Sequence, residues 1–109
     1  MPKSKIDYSK GLVYKIVCKD TNIQDCYVGS TTNFIQRKYE HKSSLTNPTS
    51  DRYNSKLGQQ IHNNGNWKNW DMILVEEVPC TNSFQLHARE RHYIETLKPT
   101  LNTQLPTRS

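Results

Sequence analysis

Arg37 and His41 are residues whose types and spacing could do chemistry. They are four positions apart in a segment with helical spacing, so both side chains project from one helix face and can converge on one anion. Lys38 and Lys42 lie on the same segment, and a basic helix surface is more often a solvated face than a reactive one. The pair therefore needs support from elsewhere in the chain.

Glu90 occupies a position where an apolar residue is expected. It lies four residues from Leu86 and four from Ile94, on the helical stripe that should face the interior. A carboxylate there costs free energy unless it is paired, hydrogen-bonded or bound to a cation. An internal ion pair with Arg37 or Arg89 would satisfy it, and so would a Mg²⁺ ion completed by water and phosphate oxygens.

The elements that must position these groups begin with a hairpin. Val, Ile and Tyr are concentrated in residues 12–18 and 26–29, and the polar residues 19–25 form a loop of hairpin length. Tyr14 and Tyr27 fall on the two predicted strands, where buried tyrosines usually find a hydrogen-bond partner. Gly29 suits a close approach of the backbone by another group.

Two helices are predicted after the hairpin. Residues 30–33 offer N-cap candidates for the first, in which Ile35 and Tyr39 share one stripe, with Phe34 and Leu45 beside it. The second is indicated by an apolar residue at every fourth position before the Asn64-Gly65 stop: Tyr53, Leu57 and Ile61.

The last predicted elements are a strand and a long helix. Residues 67–78 contain apolar side chains on both alternating faces, which predicts a strand covered on both sides and central in its sheet. Asn82 with Gln85 resembles a capping box, and the helix must end before Pro99. The order β-β-α-α-β-α predicts a small α/β sandwich whose central three-stranded antiparallel sheet is flanked by helices.

Composition limits the classes of function. The 109 residues suit one domain, and a net charge of +5 favours a polyanion as partner. The longest apolar run, residues 72–75, is far shorter than the ~20 residues of a membrane span, so a soluble, intracellular protein without membrane contact is expected. Residues 1–10 are expected to be a flexible basic lead-in, with the domain at 11–106.

Three cysteines without a C-x-x-C pair, Cys18, Cys26 and Cys80, are expected to be reduced thiols. A zinc site formed by these cysteines and a histidine would lack the usual ligand spacing. The chain also has no GxGxxG, Walker, H-E-x-x-H or G-x-S-x-G motif, so dinucleotide binding, P-loop hydrolysis, zinc proteolysis and serine hydrolysis have no support.

The order and spacing of several short motifs resemble the GIY-YIG nuclease family. The resemblance covers about residues 11–106, and the family's short Gly-Ile-Tyr is replaced by Leu12-Val13-Tyr14. The motifs that carry it are Gly11 to Tyr14, Tyr27-Val28-Gly29-Ser30, Arg37 with His41, Arg89-Glu90 with Tyr93-Ile94, and Leu101-Asn102. The resemblance implies a metal-dependent DNA endonuclease that hydrolyses phosphodiester bonds, encoded by a cell or by a phage or virus.

By this resemblance Glu90 would bind one divalent cation, Mg²⁺ with Mn²⁺ as a substitute. Arg37 would hold the scissile phosphate and its developing charge, and Asn102 would close the site from the C-terminal side. The cation and Arg37 fit the needs of phosphodiester hydrolysis, which requires neutralised phosphate oxygens and a stabilised leaving group. DNA contacts are expected at Gly29, Lys38, Lys42 and Lys56.

The proton acceptor has several candidates. Tyr27 would be the leading general base for the attacking water, with His41 and Tyr14 sharing the proton relay. A tyrosine in water ionises only near pH ~10, so such a base needs a neighbouring cation. Where the family often has a further His or Lys, this chain offers Lys56 or Tyr53, and the choice of base stays open.

The sequence is compatible with three classes of function: the endonuclease, a catalytically weak or inactive DNA-binding module of the same fold, and a domain whose basic surface contacts an acidic protein. The inactive module would be expected to lack the metal ligand or the arginine, and both Glu90 and Arg37 are present. The endonuclease is therefore favoured, acting as a monomer or as a weak homodimer on DNA.

Overall fold

The computed structural model describes residues 7–102, apart from the side chains of Asp51 and Arg52. Residues 1–6 of the expected lead-in, and the end of the expected domain at 103–106, lie outside the described residues. The described part of the lead-in forms a 3-10 turn at Tyr8–Lys10. The Tyr8 carbonyl accepts hydrogen bonds from the backbone amides of Gly11 and Cys80, which ties this turn to the segment after the last strand.

The secondary structure follows the predicted order β-β-α-α-β-α. Three antiparallel strands form one sheet in the order β2-β1-β3, and three helices complete a small α/β domain. The predicted fold class is confirmed. The elements are β1 (Leu12–Cys18), β2 (Cys26–Thr31), α1 (Phe34–Thr46), α2 (Lys56–Asn63), β3 (Trp70–Glu77) and α3 (Ser83–Leu97), with 3-10 turns at Asp51–Asn54 and Trp67–Asn69.

Side-chain caps determine where the helices begin. Asn33 accepts a hydrogen bond from the Gln36 amide at the start of α1, and Asn82 accepts one from the Gln85 amide at the start of α3. Both satisfy backbone donors that the first helical turn leaves free. The helix α3 ends at Leu97, and its C-cap Lys98 adopts a left-handed conformation with φ 51°, directly before Pro99. The predicted cap and end of α3 are confirmed.

The prediction that β3 is central in the sheet is wrong. β1 pairs with both β2 and β3, so β1 is central and β3 is an edge strand. The register between β1 and β3 shifts at Val13/Tyr14, where Glu76 and Leu74 are the consecutive partners. Ile73 and Leu74 are both exposed, although the apolar residues at alternating positions of this segment predicted that both faces of the strand are covered.

The prediction that the apolar stripe of Ile35 and Tyr39 is the packing face of α1 is also wrong. Ile35 is 80% exposed and Tyr39 is 70% exposed, whereas His41 and Leu45 are buried. The helix therefore turns a histidine, and not its most apolar stripe, towards the sheet. The reason is a specific polar contact of His41 described below, which apolar periodicity cannot reveal.

The main core lies between one face of the sheet and the helices α1 and α2. Side chains alternate along β1, so Tyr14, Ile16 and Cys18 share that face. The helical partners in the same cluster are Leu45 of α1 with Leu57 and Ile61 of α2. Within the described residues, no helix has the length and apolar character needed to cross a membrane.

Tyr14 and Gly29 are cross-strand partners in register, and their contact explains why position 29 is a glycine. A Cβ added at Gly29 would lie 2.5 Å from the Tyr14 hydroxyl oxygen and 2.7 Å from its Cζ, much closer than carbon and these atoms can approach. The close approach expected at Gly29 is thus made by the Tyr14 ring. Contact between Gly29 and DNA stays a prediction.

We expect Gly29→Ala to destabilise the fold by about 1–3 kcal/mol, because the added methyl overpacks a rigid buried ring. Urea denaturation in a Tyr14→Leu background, which lacks the ring, should show a clearly smaller cost, and a Tyr14→Phe background an intermediate one. An equal cost in all three backgrounds would show that the ring is not the obstacle.

Candidate active site

Tyr14, Tyr27 and His41 form an aromatic cluster where β1, β2 and α1 meet. The Tyr14 hydroxyl and His41 Nε2 are 2.8 Å apart in a buried hydrogen bond. The His41 ring packs edge-on against both tyrosines, with centroid distances of 5.8 Å in each case. Tyr27 is half-buried, whereas Tyr14 and His41 are buried. Of the three, Tyr27 is therefore the one best placed to reach a water molecule or a substrate.

Glu90 lies beside β2. One of its carboxylate oxygens accepts a short hydrogen bond from the hydroxyl of Ser30, which, among the residues that the structure describes, leaves the second oxygen available to a further ligand. The side chain is half-buried. Neither arginine considered from the sequence is its ion-pair partner, because Arg37 pairs with Glu40 and Arg89 with Glu76.

The Glu90 carboxylate and the aromatic cluster approach β2 from opposite sides of the sheet. Ser30 pairs in register with Val13, and Tyr27 pairs with Ile16. Cross-strand partners point to the same face, and successive residues of a strand to opposite faces. The aromatic cluster and Glu90, which are predicted to act together, therefore lie on opposite faces of β2.

Arg37 lies in the first turns of α1, next to the end of β2. It lines a small polar depression of about 160 Å³ together with Thr31, Thr32 and Gln36. Arg37 Nε is 3.5 Å from a carboxylate oxygen of Glu40 in a partly exposed pair. Such pairs are weak in water, so the guanidinium can exchange this partner for a phosphate.

The segment that contains Asn102 covers the outer edge of β2. The Asn102 amide donates to the Val28 carbonyl and its oxygen accepts from the Val28 amide, both at 2.8 Å. The Leu101 amide bonds to the carbonyl of Cys26. Asn102 thus acts as a substitute strand and fixes the backbone on both sides of Tyr27. Its expected part in closing the site stays a prediction.

The expected DNA-contacting lysines are spread over the surface. Lys38 and Lys42 are exposed on α1, and Lys56 is exposed at the first position of α2. Tyr53, the other candidate base, packs its ring on His62 at a centroid distance of 4.0 Å. Tyr53 therefore has a packing role within the domain.

Two contacts at the candidate site were not predicted from the sequence. Ser30 was part of a recognised motif, and its place three residues after Tyr27 puts it on the opposite face of β2, which could have singled it out. The second contact is a network in which Glu76 accepts hydrogen bonds from Arg89 Nε at 2.7 Å and from the Tyr93 hydroxyl at 2.8 Å. No local signal connects these residues of β3 and α3.

This network fixes the end of β3 to α3, and Arg89 directly precedes Glu90. Hydrogen bonds from Arg89 and Tyr93 lower the pKa of the Glu76 carboxyl below its ordinary value. The carboxylate in turn raises the pKa of Arg89 and of Tyr93. The three groups therefore keep the charge states that their contacts require through the neutral range.

Metal binding at this site would rest on few protein ligands. Among residues 7–102, no group of three or more His, Cys, Asp and Glu side chains is arranged to hold a metal ion. The described cysteines Cys18, Cys26 and Cys80 are free thiols. Glu90 alone could contribute a carboxylate oxygen, so water and substrate oxygens would have to complete the coordination of an ion, as Mg²⁺ commonly allows.

Comparison with known proteins identifies a matching family and two similar structures. The family model of the GIY-YIG catalytic domain matches residues 10–103. The catalytic domain of the homing endonuclease I-TevI aligns with a TM-score of 0.69 and 23% identity, covering 91% of this chain and 100% of that domain. A mutant of the catalytic domain of the intron endonuclease I-TevI aligns with a TM-score of 0.69 and 24% identity, covering 92% and 96%. At these identities the structures show a shared fold. A search of curated proteins gave no match.

The Glu76 network makes stability depend on pH. Because the pKa of Glu76 is lowered in the folded state, its contribution is complete above the ordinary pKa of about 4.3 and is lost as the pH falls through the lowered value. We expect Glu76→Gln to melt below the wild type at pH 7 and to approach it as the pH falls from about 5 to about 3. Thermal melts of Glu77→Gln, the exposed neighbour, provide the control; a pH-independent gap for Glu76→Gln would contradict this account.

Proposed function

Because the chain belongs to the GIY-YIG catalytic domain family, with a match over residues 10–103, we propose that it is a metal-dependent DNA endonuclease. The observation that carries the proposal is the half-buried Glu90 carboxylate, which has one oxygen bound by Ser30, while Arg37 and Arg89 pair with other carboxylates. A carboxylate left in this state suits a divalent cation.

Glu90 would hold one Mg²⁺, or Mn²⁺ in its place, through the oxygen that Ser30 does not occupy. The ion would neutralise charge on the phosphodiester and lower the barrier to its hydrolysis. Ser30 orients the carboxylate by donating to its other oxygen, a supporting contact of the kind that fixes metal ligands in place. The network of Glu76 with Arg89 and Tyr93 holds α3, and with it Glu90, against the sheet.

Arg37 would bind the scissile phosphate. Its planar guanidinium can donate two parallel hydrogen bonds to phosphate oxygens and stabilise the charge that develops on them. The contact with Glu40 in the free protein is exposed, so little is lost when phosphate replaces it. Lys38, Lys42 and Lys56 would add non-specific attraction to the DNA backbone.

Tyr27 would take the proton from the attacking water. Its ring packs on His41, and His41 is bonded to the Tyr14 hydroxyl, so the two groups proposed to share the proton lie directly beside Tyr27. His41 and the exposed Lys56 are the alternatives for the base. With one metal-binding carboxylate per chain, a monomer has chemistry for one strand at a time, and a weak homodimer on DNA would cut the second.

We expect Glu90→Gln to reduce the rate of plasmid nicking in Mg²⁺ by about 100-fold or more, since a catalytic ion contributes several kcal/mol and each 1.36 kcal/mol is tenfold. DNA affinity, measured by fluorescence anisotropy without metal, should change little because the carboxylate is not an attractive group for phosphate. The Glu95→Gln variant removes an exposed carboxylate from the same helix and serves as the control.

Wild-type nicking that persists in EDTA, or full activity of Glu90→Gln, would contradict the metal assignment. A wild-type protein that binds DNA with a strong salt dependence and never cleaves it would instead be an inactive binding module. Absence of DNA binding at low salt would leave only a protein-interaction domain.

Arg37→Lys should lower the cleavage rate by about tenfold or more although it keeps the charge, because an ammonium cannot reproduce the bidentate geometry. Single-turnover kinetics with saturating protein measure this step apart from DNA binding. A near-native rate would place Arg37 in the general basic surface and remove it from the reaction.

A further inference from the structure

A groove of about 600 Å³ runs along one flank of α3, beside Glu90. Glu90 lines it together with Phe84, His87, Arg91 and Ile94, and we refer to these residues as the α3 groove. The volume falls within the range of about 300–1,000 Å³ that is usual for small-molecule sites. Because Glu90 belongs both to this groove and to the proposed metal site, an occupant of the groove lies next to the reacting phosphate.

Phe84 gives the groove an exposed aromatic face. The side chain is in the first turn of α3 and is 79% exposed, so its ring is not part of the core. Isolated exposed apolar residues are common and need no function, but this one lies on the same flank of the helix as Arg91 and Ile94. An aromatic ring beside a cation is the combination that binds nucleic-acid bases by stacking.

Arg91 supplies the positive charge. Its Nε is 3.3 Å from a carboxylate oxygen of Glu95, and both side chains are more than half exposed. A pair of this kind contributes little in water, which leaves the guanidinium able to bind a phosphate. His87 lies four residues before Arg91 on the same flank and offers a ring N–H as a further donor.

The geometry of stacking restricts what can occupy this groove. A base inside a duplex has both faces covered by its neighbours, so a protein ring that does not wedge between base pairs stacks on a base that is unpaired and displaced from the helix. Phe84 and Glu90 are six residues apart, which is about 9 Å along a helix axis. This distance corresponds to fewer than three nucleotide steps of about 3.4 Å along one strand.

We propose that the α3 groove binds an unpaired nucleotide of the DNA substrate within three positions of the cleaved phosphate, with its base stacked on Phe84 and its phosphate bound by Arg91. This inference rests on the proposed endonuclease function and specifies its preferred substrate. It assigns to Phe84 and Arg91 a role in substrate choice that is separate from the chemistry at Glu90 and Arg37.

The test compares two DNA duplexes of the same sequence, one fully paired and one with a single unpaired 2-aminopurine. Binding to the full-length protein is measured without divalent metal, by anisotropy and by 2-aminopurine fluorescence. We expect about tenfold tighter binding of the duplex with the unpaired base and quenching of its fluorescence, since stacking of one base is worth about 1–3 kcal/mol.

Phe84→Ala should abolish both the preference and the quenching, and Phe84→Trp should restore them. Tyr39→Ala is the matched control, because it removes an aromatic side chain of similar exposure from α1, and it should leave both unchanged. Equal affinity of the wild type for the two duplexes would overturn the proposal, as would a preference that survives Phe84→Ala.

Cleavage in Mg²⁺ distinguishes this proposal from the proposed function. With the unpaired nucleotide moved one position at a time, the wild type should cut at a site that moves with it, within three nucleotides. A wild type that nicks both duplexes equally would overturn the groove assignment and leave the endonuclease function intact. A wild type that binds the unpaired base but cuts neither duplex would support the groove and contradict the endonuclease function.

Discussion

The Tyr14 ring lies directly on the Gly29 backbone while its hydroxyl bonds to His41, and the position of the candidate site depends on this contact. A side chain at position 29 would push the ring away and break the buried hydrogen bond. His41 fixes the rotation of α1, and Arg37 lies one turn before it, so the same contact determines where the guanidinium is held. A small domain with one core can thus orient a surface arginine through a single buried polar pair.

The edge of β2 is the second element of this arrangement. One sheet edge normally presents unpaired backbone groups, and here Leu101 and the Asn102 side chain satisfy those of Cys26 and Val28. Tyr27 is held between them. On the other face of the same strand Ser30 binds Glu90. The proposed base and the proposed metal ligand are therefore both positioned by β2. The network centred on Glu76 then prevents α3 from rotating away.

Local sequence signals predicted much of this structure, whereas contacts between residues far apart in the chain could not be predicted. The cap at Asn82, and Asn33 as one of four candidates for the other cap, could be predicted because a capping side chain acts on residues three positions away. The edge position of β3 was not, because strand order depends on which strands pair after the chain passes through α1 and α2. The buried face of α1 was misjudged because His41 is buried by its bond to Tyr14, 27 residues earlier. The apolar stripe of α3 singled out Glu90 and the family resemblance implied its role, but only the fold places Ser30 against it.

The central claim is that one divalent ion binds each chain through Glu90. Electron paramagnetic resonance of Mn²⁺ counts the bound ions in the Arg37→Lys protein on DNA, in which cleavage is slowed. The account predicts one ion per chain, lost when Glu90→Gln is added to Arg37→Lys and kept when Glu95→Gln is added instead. Two ions per chain, or one ion that remains in the presence of Glu90→Gln, would contradict it.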